Sequence, residues 1–258
     1  MTTYTTSYKK AVQSSNTETT GLARPLDWLR RGWGDVTAAP TISLLLGVSF
    51  TLLCAAAYIA VSAQPFFSAS VLALLLLISP FLAATAYSVV QQREQMRLPS
   101  LRDALGHVRS RALSIGLFSI VCTLIVGAWV RLSSIAFALY YGTLGEGAAE
   151  LARIWTTGFD FPAMLVFMTL AGAVLGLTLF AIGAVALPLI VARNHNFITA
   201  IHYSWRTLRN NTATMLVWML MIIALVTVSL LTGLALMPIV FPVLAYATWH
   251  SYREFYGE

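Results

Sequence analysis

The side chains of this sequence that could do chemistry are few, and they lie between long apolar runs. Four histidines are present: His107, His195, His202 and His250. His195 and His202 could share one helix face, but no pair has the close spacing that is typical of a metal site. The histidines therefore predict contact with the membrane interface and lipid headgroups, and zinc or haem ligation is the alternative that they leave open.

Acidic residues and cysteines are poorly placed for catalysis. No Asp or Glu falls inside an apolar run, although ion-coupled transporters usually need an ionisable group within the membrane. Cys54 and Cys122 both lie inside such runs, where they predict packing residues and not a disulfide or a metal site. No Gly-rich phosphate loop, G-x-S-x-G or H-E-x-x-H motif occurs. We therefore expect no enzymatic activity, no catalytic residues, no bound metal and no cofactor.

Arg131 is the one charge within a long apolar run. It falls near the outer end of its predicted helix, where a long side chain can extend to the headgroups. Binding of an anionic lipid and pairing with Asp160 are the alternatives. Gly172 and Gly176 form a G-x-x-x-G motif, which allows two helix backbones to approach closely. This motif predicts packing within the monomer in preference to a homodimer interface.

The amino-acid composition predicts the type of secondary structure that carries these residues. The chain is 58% hydrophobic and 10% charged, with a mean hydropathy of +0.77, whereas a soluble domain has about 25% charged residues. Its apolar runs are about twenty residues long, which is the length of helix that crosses ~30 Å of hydrocarbon. Because the backbone in lipid must satisfy its own hydrogen bonds, such runs form helices. The sequence predicts an all-α, polytopic transmembrane bundle.

Six spans are expected within a single transmembrane domain over residues 23–256, preceded by a disordered cytoplasmic tail at 1–22. The spans lie at about 41–63, 66–90, 112–141, 162–192, 213–231 and 234–249. A single helix with a re-entrant piece over 213–249 would instead make five spans. We favour six because this stretch exceeds one crossing, and because Gly233, Pro238 and Pro242 interrupt it.

Positive charge predicts the orientation, since Lys and Arg are retained on the cytoplasmic side. With both termini in the cytoplasm, all 16 Lys and Arg residues except Arg131 and Arg153 fall on that side. The net charge of +6 and the pI of about 9.6 then reflect topology and not nucleic-acid binding. The same charges attract anionic headgroups at about 1 kcal/mol per nearby Lys or Arg. We expect an inner-membrane protein whose partners are the bilayer, anionic lipids and other membrane subunits.

Three short segments, each of which precedes a pair of predicted spans, share an apolar spacing. The first has Leu26, Leu29, Trp33 and Val36, the third has Ile198, Ile201, Trp205 and Leu208 at the same spacing, and the second, at 101–108, is weaker. Their opposite faces are basic or polar and include His202 and Arg206. This pattern predicts cytoplasmic amphipathic helices that lie at a membrane surface. Trp28, Trp33, Trp205, Trp249, Tyr252 and Tyr256 together predict an inner aromatic belt.

Each short segment is followed by two spans, and the second span of each pair contains a proline: Pro80, Pro188 and Pro242. A proline inside a helix frees a carbonyl and kinks the helix. We therefore predict three units, each an interfacial helix followed by a transmembrane hairpin. The candidate functional or structural positions are Pro80, Pro188, Pro242, Trp33, Trp205, Arg206, Arg131, His202 and His250.

Several blocks of the sequence resemble a family of bacterial integral membrane proteins, domain of unknown function 2189 (DUF2189). The blocks are PLDWLRRGWGDVTAAPTISLLLG at 25–47, SPFLAATAYSVVQQRE at 79–94, TTGFDFPAMLVF at 156–167, LPLIVARNHNFITAIHYSWRTLRNN at 187–211 and PVLAYATWHSYREFY at 242–256. The resemblance covers residues 22–256 and implies an inner-membrane protein of unknown activity. Some members carry the label of a cytochrome c oxidase, but haem and copper sites need several histidines inside the bundle. The predicted topology places all four at the cytoplasmic edge.

We expect a non-enzymatic accessory, assembly or membrane-organising protein. The first alternative is a transporter or channel for a small solute, with the three span prolines shaping a path from the cytoplasm. The second is a haem- or quinone-associated respiratory subunit that uses His195, His202 or His250. A polar cavity through the bundle would favour the transporter, and an optical spectrum with a haem band would favour the respiratory subunit.

Overall fold

A computed structural model describes residues 23–63, 68–141, 161–193 and 195–257. These residues are almost entirely helical and include no strand. The helices are α1 Ala23–Ala38, α2 Pro40–Ala63, α3 Ser68–Glu94, α4 Leu101–Ser110, α5 Ala112–Tyr141, α6 Phe161–Gly183, α7 Ala186–Arg193, α8 Phe197–Asn210, α9 Thr212–Leu231 and α10 Met237–Tyr256. The predicted tail at 1–22 and residues 142–160, between the third and fourth predicted spans, lie outside the described residues.

Five stretches of the described chain are long and apolar enough to cross a membrane. They are Pro40–Ala63, Ser70–Glu94, Ala112–Ala136, Leu165–Arg193 and Thr212–Leu231. They overlap the first five predicted spans, so a multi-pass helical membrane protein is confirmed. The expected sixth span corresponds to α10, which does not meet the same criterion because its last turns carry polar and charged residues such as His250, Arg253 and Glu254.

Two of the short helices begin at side-chain caps that the sequence supplies. The Ser100 hydroxyl accepts a hydrogen bond from the Asp103 amide at 3.3 Å, at the start of α4. The Asn196 side chain accepts one from the Thr199 amide at 2.8 Å, at the start of α8. Such caps satisfy backbone donors that the first helical turn leaves without partners. They separate the short helices from the long helices that precede them.

Proline 188 explains why the fourth predicted span is two helices. Residues 184–185 form a turn between α6 and α7, and Pro188 lies in the first turn of α7. Pro188 has no N–H to donate to the Ala184 carbonyl, and its ring would collide with that carbonyl in a continuous helix. The Val185 amide instead donates to the Ser204 hydroxyl of α8, at 3.3 Å. The break is therefore stabilised from a neighbouring helix.

Pro80 and Pro242 lie within helices that continue through them. Pro242 leaves the carbonyl of Pro238 without its helical donor. That carbonyl lies against Gly47 of α2, and any side chain at position 47 would overlap it. The proline and the glycine together allow α2 and α10 to pack backbone against backbone.

The second helices of the three predicted pairs form the centre of the bundle. These helices are α3, α7 and α10, and each of them contacts the other two. The first helices, α2, α5 and α9, are less buried and lie further out. The core therefore consists of Ala84–Val90, Val185–Val191 and the inward face of α10, including Tyr246 and Trp249.

Candidate functional site

Ionised side chains converge where the C-terminal ends of α3 and α10 meet α1, which we call the charged end. Asp35 of α1 lies between two partner side chains, Arg93 and His250. Its Oδ2 is 2.6 Å from His250 Nε2, and its Oδ1 accepts a hydrogen bond from Arg93. The side chains of Asp35, His250 and Arg93 are only 14%, 13% and 27% exposed. One carboxylate thus joins three helices in a largely desolvated position.

A second carboxylate extends the same group. Glu254 lies 3.3 Å from Arg24 Nε, and it also accepts a hydrogen bond from the Trp28 indole N–H. On the neighbouring turn, Arg253 Nε lies 3.3 Å from Glu94 Oε2 of α3. We call Arg24, Asp35, Arg93, Glu94, His250, Arg253 and Glu254 the ionic cluster.

The ionic cluster holds α1, α3 and α10 together. Each of its carboxylates is occupied by a cation or an indole N–H. A partly buried ion pair changes the stability of the fold little while both partners are present. Removal of one partner leaves an uncompensated buried charge, which destabilises the fold. Among the described residues, no group of three or more His, Cys, Asp or Glu could hold a metal ion. The arrangement is suited to fixing α1 on the bundle.

A separate network joins the C-terminal end of α4 to the end of α7. Arg111 Nε donates to the Ile190 carbonyl at 3.0 Å, and His107 Nε2 lies 3.0 Å from the Val191 carbonyl. Both carbonyls lie near the C-terminus of α7, where a positive charge is favourable. Burial lowers the pKa of Arg111 from its usual value, although the guanidinium remains charged at neutral pH.

The last turn of α10 also fixes α8. The Tyr256 hydroxyl donates to the Tyr203 carbonyl at 3.0 Å and lies 2.6 Å from the Thr207 hydroxyl. Arg193, at the end of α7, donates to the Tyr256 carbonyl. The charged end therefore gathers the ends of α3, α7 and α10 together with α1 and α8.

The sequence-predicted site residues separate into two groups. Trp33, Trp205, Arg206 and His202 are exposed on the short helices, whereas His250 belongs to the ionic cluster. The aromatic belt is partly wrong, because its members Trp28, Trp249 and Tyr252 are buried in the core. Trp28 packs edge-on against Trp218, with ring centroids 5.7 Å apart. Their large apolar area stabilises the bundle interior instead of the interface.

Arg131 is exposed and lines a cavity of about 370 Å³ between α3 and α5, together with Thr123 and Ser134. Its predicted partner Asp160 lies outside the described residues. In the G-x-x-x-G motif, a Cβ on Gly172 would lie 3.7 Å from Trp129, whereas Gly176 faces open space. Among the described helices, therefore, only Gly172 of the motif packs against another helix.

The sequence interpretation did not identify Asp35, Arg93 or Glu254 as functional positions. Their partners lie far away along the chain: Asp35 and His250 are 215 residues apart, and Trp28 and Glu254 are 226 apart. The sequence shows that one face of α1 carries an acidic residue and arginines. It does not show which residues of other helices they pair with. The one available signal was the excess of charge at the edges of the apolar runs.

Comparison with known proteins supports the class of the chain. Residues 66–192 match the model of a family described as predicted integral membrane protein (DUF2189). This match confirms the family that the sequence blocks resemble. No curated protein and no solved structure matches the chain significantly.

Proposed function

We propose that this multi-pass membrane protein, of the DUF2189 family over residues 66–192, is a non-enzymatic membrane-organising protein that holds anionic lipids at its charged end. In this proposal the charged end faces the cytoplasm of a bacterial inner membrane. The chain makes six crossings, so both termini lie on that side.

The helix ends that lie together at the charged end support the six-crossing topology. The C-terminal ends of α3, α7 and α10 share the charged end with α1 and with the start of α5. The chain therefore leaves this end through α2, α5 and α9 and returns through α3, α7 and α10. The Ser43–Tyr246 hydrogen bond and the stacked Phe50–Phe241 rings make α10 antiparallel to α2 along much of its length. The α10 helix has 20 residues, which span about 30 Å at 1.5 Å per residue.

The three short helices are related by the register of their buried residues. Each buries a pair four positions apart, and the pairs are Trp28 and Gly32 in α1, Ala104 and Val108 in α4, and Ala200 and Ser204 in α8. Residues four apart lie on the same face of a helix. The three helices therefore bury equivalent faces, as repeated units would.

Their packing partners follow a cyclic order. The α4 helix packs on α3, α8 packs on α6 and α7, and α1 packs on α10. Each short helix thus covers the second helix of the unit that precedes it, and α1 completes the cycle on the last unit. This arrangement supports three units, each with an interfacial helix and a transmembrane hairpin, around the central α3, α7 and α10.

The observation that carries the proposal is the apolar surface that two of these helices leave uncovered. Leu26 and Trp33 of α1 are 55% and 51% exposed, and Ile198 and Trp205 of α8, at the same positions of the pattern, are 65% and 54% exposed. Arginines lie beside them, including Arg30 and Arg31 in α1 and Arg206 and Arg209 in α8. Trp and Leu beside Arg suit the boundary between acyl chains and anionic headgroups.

The experiment is native mass spectrometry of the protein purified in mild detergent from vesicles of phosphatidylcholine with phosphatidylglycerol. Wild-type protein should retain phosphatidylglycerol preferentially. The double variant Arg206→Gln/Arg209→Gln should bind it roughly tenfold to thirtyfold more weakly, because each basic residue contributes about 1 kcal/mol near an anionic surface. The matched control Arg206→Lys/Arg209→Lys keeps both positive charges on α8 and should keep the wild-type preference.

Equal retention of the neutral and anionic lipids by wild-type protein would refute the proposal. So would a double variant that keeps the preference while remaining folded by circular dichroism. A solute-transport role receives less support, since the cavity between α2, α3, α9 and α10 is lined almost entirely by apolar residues. A haem- or quinone-associated role is also less supported, because the Nε2 atom of His250 is already bonded to Asp35 and is not free to bind such a group.

A further inference from the structure

The cavity between α3 and α5, which we call the α3–α5 cavity, has an arginine in its wall. Its volume is about 370 Å³. The α3 wall is mostly apolar and includes Leu72 and Leu76. The residues of the α5 wall recur at helical spacing and therefore lie on one face of α5: Thr123, Val126, Gly127, Val130, Arg131 and Ser134.

Arg131 is the part of the α5 wall that can donate hydrogen bonds to a ligand. Among the described residues, none forms an ion pair or a hydrogen bond with its guanidinium. The hydroxyls of Ser134 and Thr123 instead donate to carbonyls of their own helix, each at 2.8 Å. An arginine in a membrane span pairs with an acceptor or extends to the headgroups. This wall therefore suits an anion that accepts hydrogen bonds from Arg131.

The position of Arg131 along α5 places it at one boundary of the hydrocarbon. Arg111, at the turn between α4 and α5, bonds the end of α7 and so marks the charged end. Arg131 lies twenty residues further on, which corresponds to about 30 Å at 1.5 Å per residue. This length equals the ~30 Å thickness of the hydrocarbon core. Arg131 therefore lies at the depth of the phosphates of the leaflet opposite the charged end.

The cavity continues from Arg131 into the membrane along apolar walls. The α5 wall runs back to Thr123, eight residues or about 12 Å from Arg131. One leaflet of hydrocarbon is about 15 Å thick, half of the ~30 Å core. Gly127 lies between these two residues, and a Cβ there would meet nothing within 4 Å. An acyl chain that starts beside Arg131 therefore has room along α5.

We propose that the α3–α5 cavity binds one phospholipid of the leaflet opposite the charged end. Its phosphate accepts hydrogen bonds from the Arg131 guanidinium, whose planar fork matches two phosphate oxygens. One acyl chain lies along α5 past Gly127. The group recognised is the phosphodiester that all phospholipids share, while the headgroup substituent remains in water. The site therefore does not distinguish phosphatidylglycerol from phosphatidylcholine.

This site goes beyond the binding of anionic lipids proposed above. It lies at the other end of the bundle and uses neither Arg206 nor Arg209. The proposal for the charged end predicts a preference for anionic lipid, whereas this one predicts a dependence on the phosphate alone. Either proposal can therefore fail without the other.

The first test is native mass spectrometry of delipidated protein titrated with phosphatidylcholine or with a diacylglycerol of the same acyl chains, which lacks the phosphate. Wild-type protein should bind one phosphatidylcholine roughly tenfold to hundredfold more tightly than the diacylglycerol, and Arg131→Gln should lose this difference. Arg131→Lys keeps the charge without the fork and should be intermediate. Arg97→Gln is the control, because Arg97 is an exposed arginine that does not line the cavity. Wild-type affinity in Arg131→Gln would overturn the proposal.

The second test fills the cavity without a clash. Gly127→Leu projects a side chain into the space where the acyl chain would lie, and should weaken binding of phosphatidylcholine roughly tenfold or more. Gly176→Leu is the matched control, because a Cβ at this exposed helical glycine of α6 also meets nothing within 4 Å and Gly176 does not line the cavity. Equal binding by the two variants would show that no lipid occupies the α3–α5 cavity.

A competition experiment distinguishes a lipid from a soluble phosphate ester. Glycerophosphocholine carries the same phosphodiester as phosphatidylcholine but has no acyl chains. It should not displace the bound lipid from wild-type protein when both are present at the same concentration. Displacement under these conditions would mean that the site takes a soluble phosphate ester, and the inference of a bound phospholipid would be wrong.

Discussion

The backbone of Gly32 in α1 lies directly against Ala247 in α10, so that a Cβ on Gly32 would be 2.8 Å from the Ala247 amide nitrogen and 2.8 Å from the Val243 carbonyl oxygen. Two helices from opposite ends of the chain thus pack without intervening side chains. The contact lies beside the ionic cluster, on the C-terminal side of Pro242 in α10. Much of the attachment of α1 to the bundle depends on this close approach.

Replacement of Gly32 by alanine should destabilise the protein. The added methyl would press on backbone atoms that cannot rotate away, and overpacking of this kind costs about 1–3 kcal/mol. We expect a lower free energy of unfolding in mixed micelles titrated with dodecyl sulfate. Gly34→Ala is the matched control, because a Cβ there meets nothing within 4 Å and alanine favours a helix by about 0.5–1 kcal/mol. Equal effects of the two variants would contradict the packing described here.

Loss of charge at Asp35 should weaken the charged end. Asp35→Asn removes the ion pair to Arg93 and the carboxylate that bonds His250, in a site where the Asp35 side chain is 14% exposed. Hydrogen bonds to charged groups contribute about 1.5–3 kcal/mol, so a loss of that order in the free energy of unfolding is expected. The same titration in mixed micelles measures it.

Asp27→Asn is the control for Asp35, with the same substitution on the same helix. Asp27 pairs with Arg31 within α1, and their side chains are 42% and 58% exposed. Exposed pairs contribute about 0–1 kcal/mol because solvent screens them. A loss at position 27 as large as the loss at position 35 would mean that the burial of the ionic cluster does not matter.

The hydroxyl of Ser204 should be needed at the break between α6 and α7. Ser204→Ala removes the acceptor of the Val185 amide and leaves that buried N–H without its partner, which costs about 1–3 kcal/mol. Ser229→Ala serves as the control, because Ser229 is also buried but its hydroxyl bonds only to the Leu225 carbonyl of its own helix. Hydrogen exchange at Val185, followed by mass spectrometry, should speed up in the first variant and remain unchanged in the second.

Cysteine accessibility tests the sixth crossing. In a background with Cys54 and Cys122 replaced by serine, Met96→Cys and Ala235→Cys introduce exposed thiols in two loops. A membrane-impermeant maleimide should label them from opposite sides of the membrane. A reporter fused after Glu258 should lie on the side of Met96. A reporter on the side of Ala235 would show that α10 does not cross and that the chain has five spans.

The sequence by itself determined the class of the protein and the position of most helices. Apolar length decides these features, because a helix of about twenty apolar residues has few stable environments other than lipid. The short helices were also predictable, since apolar residues such as Leu26, Leu29, Trp33 and Val36 recur at helical spacing. Asn196 and Ser100 mark helix starts by local hydrogen bonding alone.

Tertiary structure alone decided which polar and small residues matter. Trp28 and Trp33 are equally consistent with an interface by sequence, yet only Trp28 is buried, because α10 covers its side of α1. The sequence likewise does not distinguish Gly32 from Gly34, but in the structure it is Gly32 that lies against Ala247. Asp35 joins α1 to α10 because the fold brings it next to His250, which is 215 residues away in the sequence. Local patterns carry the periodicity of a helix, but which face meets which partner depends on how all the helices pack together.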